Sequence, residues 1–198
     1  MKKIIYLLLL LTAFQLNAQK IRYSVRAGLN LADKTNTSGS FKPGLNFGAA
    51  AEYLFSPKFS TVLGAYYSMQ GSKFKFANTD LLHDYINIPL LAKYFPYRGL
   101  YIFAGPQVGI KVTVNKQAFG STEFEEKRIE GDMVEPIDIS AIIGAGYLLS
   151  NGFFTSANVN WGLTNTAKSQ FNYKGTWYPT DGKDYKNIVL QFNFGYRF

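Results

Sequence analysis

The sequence has no cysteine and a single histidine, His83, among its 198 residues. Disulfides and thiolate metal sites are therefore excluded, and an exported domain built this way must gain stability by closing a sheet. Beyond the N-terminus no apolar run approaches the ~20 residues that a membrane helix needs. Any crossing of a bilayer must then use β-structure, because only helices and closed barrels satisfy their backbone in lipid. Acidic residues are also scarce: 13 against 21 lysines and arginines, a formal charge of +8. The basic residues are scattered, not clustered, which argues against nucleic acid as a partner and suits anionic lipid headgroups or other polyanions. Mean hydropathy is near zero, as alternating barrel strands give.

The N-terminus reads as an export signal. Lys2 and Lys3 form a basic region, Ile4 to Leu11 an apolar one, and Leu16-Asn17-Ala18 ends on a small residue. That layout predicts a secretory signal peptide over residues 1–18 and one mature domain over 19–198.

From there the chain alternates. In its last stretch Ile188, Leu190, Phe192, Phe194, Tyr196 and Phe198 are large and apolar, while Val189, Gln191, Asn193, Gly195 and Arg197 stand between them. A period of two over this length predicts a strand with one greasy and one polar face. With no later element to cover that face, lipid is its expected neighbour. Seven earlier segments repeat the pattern: Arg22–Leu31, Gly44–Phe55, Phe59–Phe76, Asp84–Phe95, Leu100–Asn115, Ile137–Leu149 and Phe153–Thr164. Each is long enough for a tilted strand to cross a bilayer, which takes ~9–11 residues.

The connections alternate too. Ser56-Pro57-Lys58, Pro96 to Gly99 and Ser150-Asn151-Gly152 are short and rich in turn residues. Ala32 to Pro43, Ala77 to His83, Lys116 to Pro136 and Asn165 to Lys186 are long and polar. Short turns on one side and long loops on the other characterise an outer-membrane barrel, periplasmic and extracellular respectively. Tyr53, Phe55, Phe59, Tyr94, Phe95, Tyr97, Tyr101, Phe153 and Phe154 lie near the short turns, where an interfacial aromatic girdle belongs. The expected fold is all-β: an eight-stranded antiparallel up-and-down transmembrane β-barrel in the outer membrane.

Four stretches carry a family resemblance: Tyr85-Ile-Asn-Ile-Pro-Leu-Leu-Ala-Lys-Tyr94, Leu100-Tyr-Ile-Phe-Ala-Gly-Pro-Gln-Val-Gly109, Ile143-Gly-Ala-Gly-Tyr147 and the closing Phe-Gly-Tyr-Arg-Phe198. With them the chain resembles the small outer-membrane β-barrel proteins of Bacteroidetes, the PorT-like family. The resemblance implies an eight-stranded outer-membrane barrel. One branch of that family is associated with a protein-secretion system and gliding machinery, and no residue here selects that branch.

Candidate sites follow from the faces. Arg22, Arg26, Glu52, Lys93, Lys111, Asp138 and Arg197 fall on the polar face. Eight strands enclose a lumen only wide enough for side chains, so these charges are expected to form an internal salt-bridged network. A narrow ion path is the sharper alternative, and an open pore is not expected. Pro89 and Pro106 interrupt two strands and predict bulges. Phe194, Tyr196 and Phe198 form an expected assembly signal for the barrel-assembly machinery. The loop Asn165 to Lys186 sets Phe171, Tyr173, Trp177 and Tyr178 among lysines, a pattern that can stack on sugars or grip a protein. An envelope protein or glycan is thus the expected partner class besides outer-membrane lipid, unless these aromatics serve as the outer girdle.

No catalytic residue, cofactor or metal is expected. His83 with Asp84, near Ser68, Ser72 and Asp80, shows no diagnostic spacing of nucleophile and base. Two rivals remain: a small barrel enzyme acting on lipid, and a secreted soluble barrel whose apolar face points inward around a ligand. Alternation alone does not say which face is the lumen. Cell fractionation separates these readings. Detergent-dependent extraction with a band whose gel mobility shifts on boiling is the expected outcome, and release as a soluble monomer would sink the membrane barrel.

Overall fold

The computed structural model describes residues 20–36, 41–74, 79–112, 135–166, 168, 170–173, 176–179 and 184–198. The proposed signal segment, residues 1–18, lies outside them. Among the described residues ten strands follow in order: β1 Ile21–Lys34, β2 Lys42–Leu54, β3 Phe59–Phe74, β4 Thr79–Tyr94, β5 Leu100–Val112, β6 Ile137–Leu148, β7 Phe153–Gly162, β8 Gln170–Tyr173, β9 Thr176–Pro179 and β10 Asn187–Arg197. Eight of them close into an antiparallel barrel, β1-β10-β7-β6-β5-β4-β3-β2, and β8 with β9 makes a separate two-stranded sheet. The seam is β1 against β10, in register from Ser24↔Arg197 to Lys34↔Asn187. Beyond its last pair Phe198 N–H still donates to the Tyr23 carbonyl, at 2.9 Å.

Which face is the lumen is settled by neighbouring residues of one strand. Phe194 is 59% exposed while Asn193 is 3% exposed. Leu29, Leu45, Phe47, Leu63, Ile102, Ile143 and Trp161 repeat the outward pattern, and Asn30, Asn46, Ser68, Gln107, Ser140 and Asn158 the inward one. An apolar outside over a polar inside is an arrangement for lipid. It overturns the inverse reading, a soluble barrel with its apolar face around a ligand.

The short-turn end is tight. Gly99 and Gly152 take positive φ there, 71° and 92°, a left-handed conformation that glycine adopts without steric cost. The opposite end is longer than the sequence pattern indicates. β1 runs on to Lys34 and β4 starts at Thr79, so most of the expected loop Ala77 to His83 is strand. The β3–β4 ladder continues through Gln70↔His83 to Phe74↔Thr79. Sixteen residues span roughly 50 Å of extended chain, and at a tilt of ~40° still about 40 Å, against an apolar band ~25 Å tall. The outer part of this hairpin therefore reaches beyond the bilayer, where a polar sequence can still form a ladder.

Two further expectations are corrected. Neither Pro89 nor Pro106 makes a bulge. The β4–β5 ladder stops between Pro89↔Gln107 and Ala92↔Ala104 and resumes in the same register. The β3–β4 ladder likewise skips from Leu63↔Leu90 to Tyr66↔Asn87 without a shift. Proline removes a donor but inserts no extra residue, so pairing lapses while alignment is kept. Second, Tyr101 does not belong to the lipid girdle. It is buried in the lumen with Phe103, Leu91 and Ile142, and Phe95 packs against that cluster. Phe154 also faces inward. The exposed girdle at this end comprises Phe55, Phe59, Tyr97 and Phe153, with Phe59 against Tyr94 at 4.7 Å and Phe153 against Phe194 at 5.5 Å.

Inward glycines make room for the inward rings. A Cβ on Gly64 would meet the Tyr66 ring, one on Gly144 the Phe103 ring, one on Gly195 the Phe154 ring, and one on Gly146 the Tyr101 ring. This ring-over-glycine packing both fills the lumen and fixes each aromatic rotamer. Gly146→Val would press on Tyr101 and on the Thr155 carbonyl, 2.5 Å from the new Cβ. The expected cost is ~1–3 kcal/mol, read as a lower urea midpoint of the folded barrel in detergent. An unchanged midpoint would contradict the packing.

Candidate functional site

The middle of the lumen is filled by neutral amides and hydroxyls. Asn30 is the hub. Its Nδ2 donates to Ser68 Oγ at 2.9 Å and to the Met69 carbonyl at 3.0 Å. Its Oδ1 accepts from Asn46 Nδ2 at 2.8 Å and from Gln191 Nε2 at 2.9 Å. Gln191 Oε1 accepts from Asn158 Nδ2 at 3.0 Å, and Asn158 Oδ1 accepts from Asn193 Nδ2 at 3.0 Å. Gln70 Nε2 extends the chain onto Ser68 Oγ at 3.1 Å. Register builds this layer: Asn30 lies opposite Gln191 and Gln191 opposite Asn158, on three neighbouring strands. A carboxamide can both donate and accept, so Asn30, Gln191 and Asn158 link through one another without net charge, while Asn46 Oδ1, Asn193 Oδ1 and Asn160 Nδ2 stay buried without a hydrogen-bond partner in the protein. The layer fills the lumen at this height.

The charged residues stand on either side of it. Toward the short turns Glu52, 3% exposed, gathers Lys93 Nζ at 3.3 Å from Oε1 and Arg197 Nη1 at 3.5 Å from Oε2. Ser60 Oγ donates to Glu52 Oε1 at 2.6 Å. Lys93 Nζ also sits 4.1 Å from the centroid of Tyr101. Arg26 lies over Tyr66 instead, 3.7 Å from guanidinium carbon to ring centroid. Arg22 is opposite Glu52 in register, but its side chain is exposed at the mouth. Toward the long loops Asp138 accepts from Thr164 Oγ1 at 3.0 Å and from Asn187 Nδ2 at 3.0 Å. Lys111 is at that end also, its backbone N–H on the Pro136 carbonyl at 2.8 Å. The seven charges thus divide into a set near the short turns and a set near the loops, with the amide layer between them.

The amide plug is what sequence reasoning missed. Its signal was present: Asn30, Asn46, Asn158, Asn160, Gln191 and Asn193 all share the inward parity.

Two cavities lie at the short-turn end. One of about 50 Å³ is bounded by Arg26, Glu52, Tyr66, Lys93, Tyr101 and Arg197 among others. The other is an open vestibule of about 510 Å³ at the mouth, bounded by Arg22, Leu148, Tyr196, Arg197 and Phe198 among others. Among the described residues no group of three or more His, Cys, Asp or Glu is arranged to hold a metal ion.

On the loop side, β8 and β9 form a hairpin inside the expected loop Asn165 to Lys186. It pairs Phe171↔Tyr178, Asn172↔Trp177 and Tyr173↔Thr176. The four loop aromatics therefore sit on one ordered element. Below it Thr166 N–H and Oγ1 both donate to the Tyr185 carbonyl, at 2.8 and 2.7 Å, tying the two ends of the loop together. His83 is placed by register opposite Gln70, and its side chain lies outside the described part. Its neighbour Asp84 accepts from Tyr67 Oη at 2.7 Å.

A family model described as outer membrane protein beta-barrel domain matches residues 16–168. No curated protein matches the sequence. Among solved structures, Neisserial surface protein A (NspA) is similar, with a TM-score of 0.51 at 13% identity over 90% of this chain and 97% of that one. The outer membrane protein OprG from Pseudomonas aeruginosa gives a TM-score of 0.51 at 14% identity, over 89% and 95%. Identities this low speak for the fold alone, and the fold agrees with the family model. The chain belongs to the outer membrane protein β-barrel domain family, and its place is the outer membrane.

Proposed function

We propose that this barrel is a structural and interaction protein that works through its outward loops and conducts nothing. One observation carries the reading: the hydrogen-bonded amide layer centred on Asn30 fills the lumen at mid-height. With transport removed, what the fold offers to a partner is its loop side. There the long β3–β4 hairpin and the β8–β9 hairpin stand beyond the apolar band. Phe171, Tyr173, Trp177 and Tyr178 supply stacking surface for an envelope protein or a glycan. The resemblance of Tyr85–Tyr94 and Leu100–Gly109 supports a place among the PorT-like barrels of Bacteroidetes, with a binding or secretion-accessory role through the loops.

Export and assembly complete the proposal. Residues 1–18 act as the signal peptide. Phe194, Tyr196 and Phe198 present the address read by the barrel-assembly machinery, through strand addition at an open edge. Support comes from their lipid-side position: Phe194 and Phe198 are exposed, and Tyr196 meets Phe198 edge-on at 5.1 Å.

Two measurements test the functional reading. In planar bilayers with concentrated KCl the purified barrel is expected to give no conductance steps; regular unitary steps would overturn the plugged lumen. Replacing residues 170–179 with a glycine–serine turn is expected to leave the heat-shifted band intact. The same replacement should abolish co-purification of envelope partners captured by cross-linking on cells. Retention of the full partner set by the replaced protein would refute the loop as the binding element.

A further inference from the structure

We propose that the short-turn half of the lumen is a dead-end site for one small anion, of halide or carboxylate size, reached from the periplasm. Three cations and one carboxylate surround the cavity of about 50 Å³: Arg26, Lys93 and Arg197 against Glu52. Glu52 is already engaged by Lys93, by Arg197 and by the Ser60 hydroxyl. Arg26 is left over. Its guanidinium has the face of Tyr66 for a neighbour, and its buried Nε has no hydrogen-bond partner in the protein.

A buried guanidinium group whose N–H lacks an acceptor is costly, and a buried excess of positive charge more so. An anion in the cavity, beside the Arg26 side chain that lines it, offsets the excess that Glu52 leaves.

Access and size define the ligand class. Arg197 and Leu148 border both the cavity and the vestibule of about 510 Å³, so the two spaces meet at that pair. Arg22 lines the vestibule, and Lys58 and Arg98 lie exposed on the adjacent turns, a basic approach that raises local anion concentration. On the other side the amide layer closes the way. Room for only a few water-sized groups excludes a sugar, a nucleotide or a lipid headgroup with its glycerol.

The test uses the refolded full-length barrel in micelles, with chloride as probe and ³⁵Cl NMR linewidth as the readout. The folded protein is expected to broaden the chloride line beyond what the urea-unfolded chain does, with bromide competing. Arg26→Met is expected to weaken that broadening at least fivefold. Lys186→Gln, at the opposite end of the barrel, should leave it unchanged. Competition by acetate would assign the site to carboxylates as well as halides, and failure of acetate alone would restrict it to halides. Equal broadening by Arg26→Met and the parent protein, or none above the unfolded chain, would overturn the proposal. Should Arg26→Met fail to fold, bromide-soaked crystals of the parent protein decide. An anomalous peak in the cavity between Arg26, Lys93 and Arg197 supports the site, and a flat map there rejects it.

Discussion

Everything in this molecule depends on the seam between β1 and β10. Inside a bilayer an unpaired N–H or C=O has no water to turn to, so an open sheet edge is not tolerated. Eleven register pairs from Ser24↔Arg197 to Lys34↔Asn187 remove that edge. Closing at eight strands then fixes the interior to little more than side-chain width. Every inward position must be either a group that fits or a glycine that yields to one. Tyr66, Tyr101, Phe103 and Phe154 are admitted because Gly64, Gly146, Gly144 and Gly195 lie beneath their rings. Closure thus dictates volume, and volume dictates which residues face in.

The same confinement sorts polar chemistry by height. At mid-lumen, far from bulk water, the protein uses carboxamides and hydroxyls. Asn30 accepts twice and donates to three partners, so a single residue on β1 ties in β2, β3 and β10 without introducing charge. Ionised groups are kept toward the ends, where solvent is near and part of the desolvation cost is avoided. Glu52 collects two cations beside the vestibule, and Asp138 relies on neutral donors from Thr164 and Asn187 at the loop end. Arg26, deeper than either, uses an aromatic face in place of a carboxylate.

Period-two patterning, turn chemistry and alternating loop lengths made the eight barrel strands and their order legible, since each is a local property of the chain. The properties that stayed hidden are non-local. Tyr101 lies close in sequence to a short turn and was assigned to the girdle by proximity; its parity, shared with Phe103 and Gln107, sends it inward. The β3–β4 hairpin outlasts the apolar pattern because its outer pairs are held by the ladder itself, which needs no greasy face once clear of lipid. Pro89 and Pro106 suggested bulges because a lost donor is visible in sequence, whereas a register kept across the gap is a property of two strands together. The β8–β9 hairpin had a local mark, the two residues Lys174-Gly175 between Tyr173 and Thr176. It was submerged in a segment read as a loop.

The two ends of the barrel are unequal, and that inequality limits where recognition of a large partner can occur. At the short-turn end the connections are a few residues each, bent by Gly99 and Gly152 and packed on the strands they join. Such turns have little surface to vary and no reach, and they frame a vestibule of about 510 Å³ suited to small solutes. At the other end β3 and β4 continue as a ladder, and the chain between β7 and β10 folds a sheet of its own. Ordering that element before any encounter lowers the entropy that binding must overcome, because the backbone under the aromatic residues is already set. The barrel thus offers its broad hairpin surface on the loop side and a vestibule for small solutes at the other, with the amide layer between them.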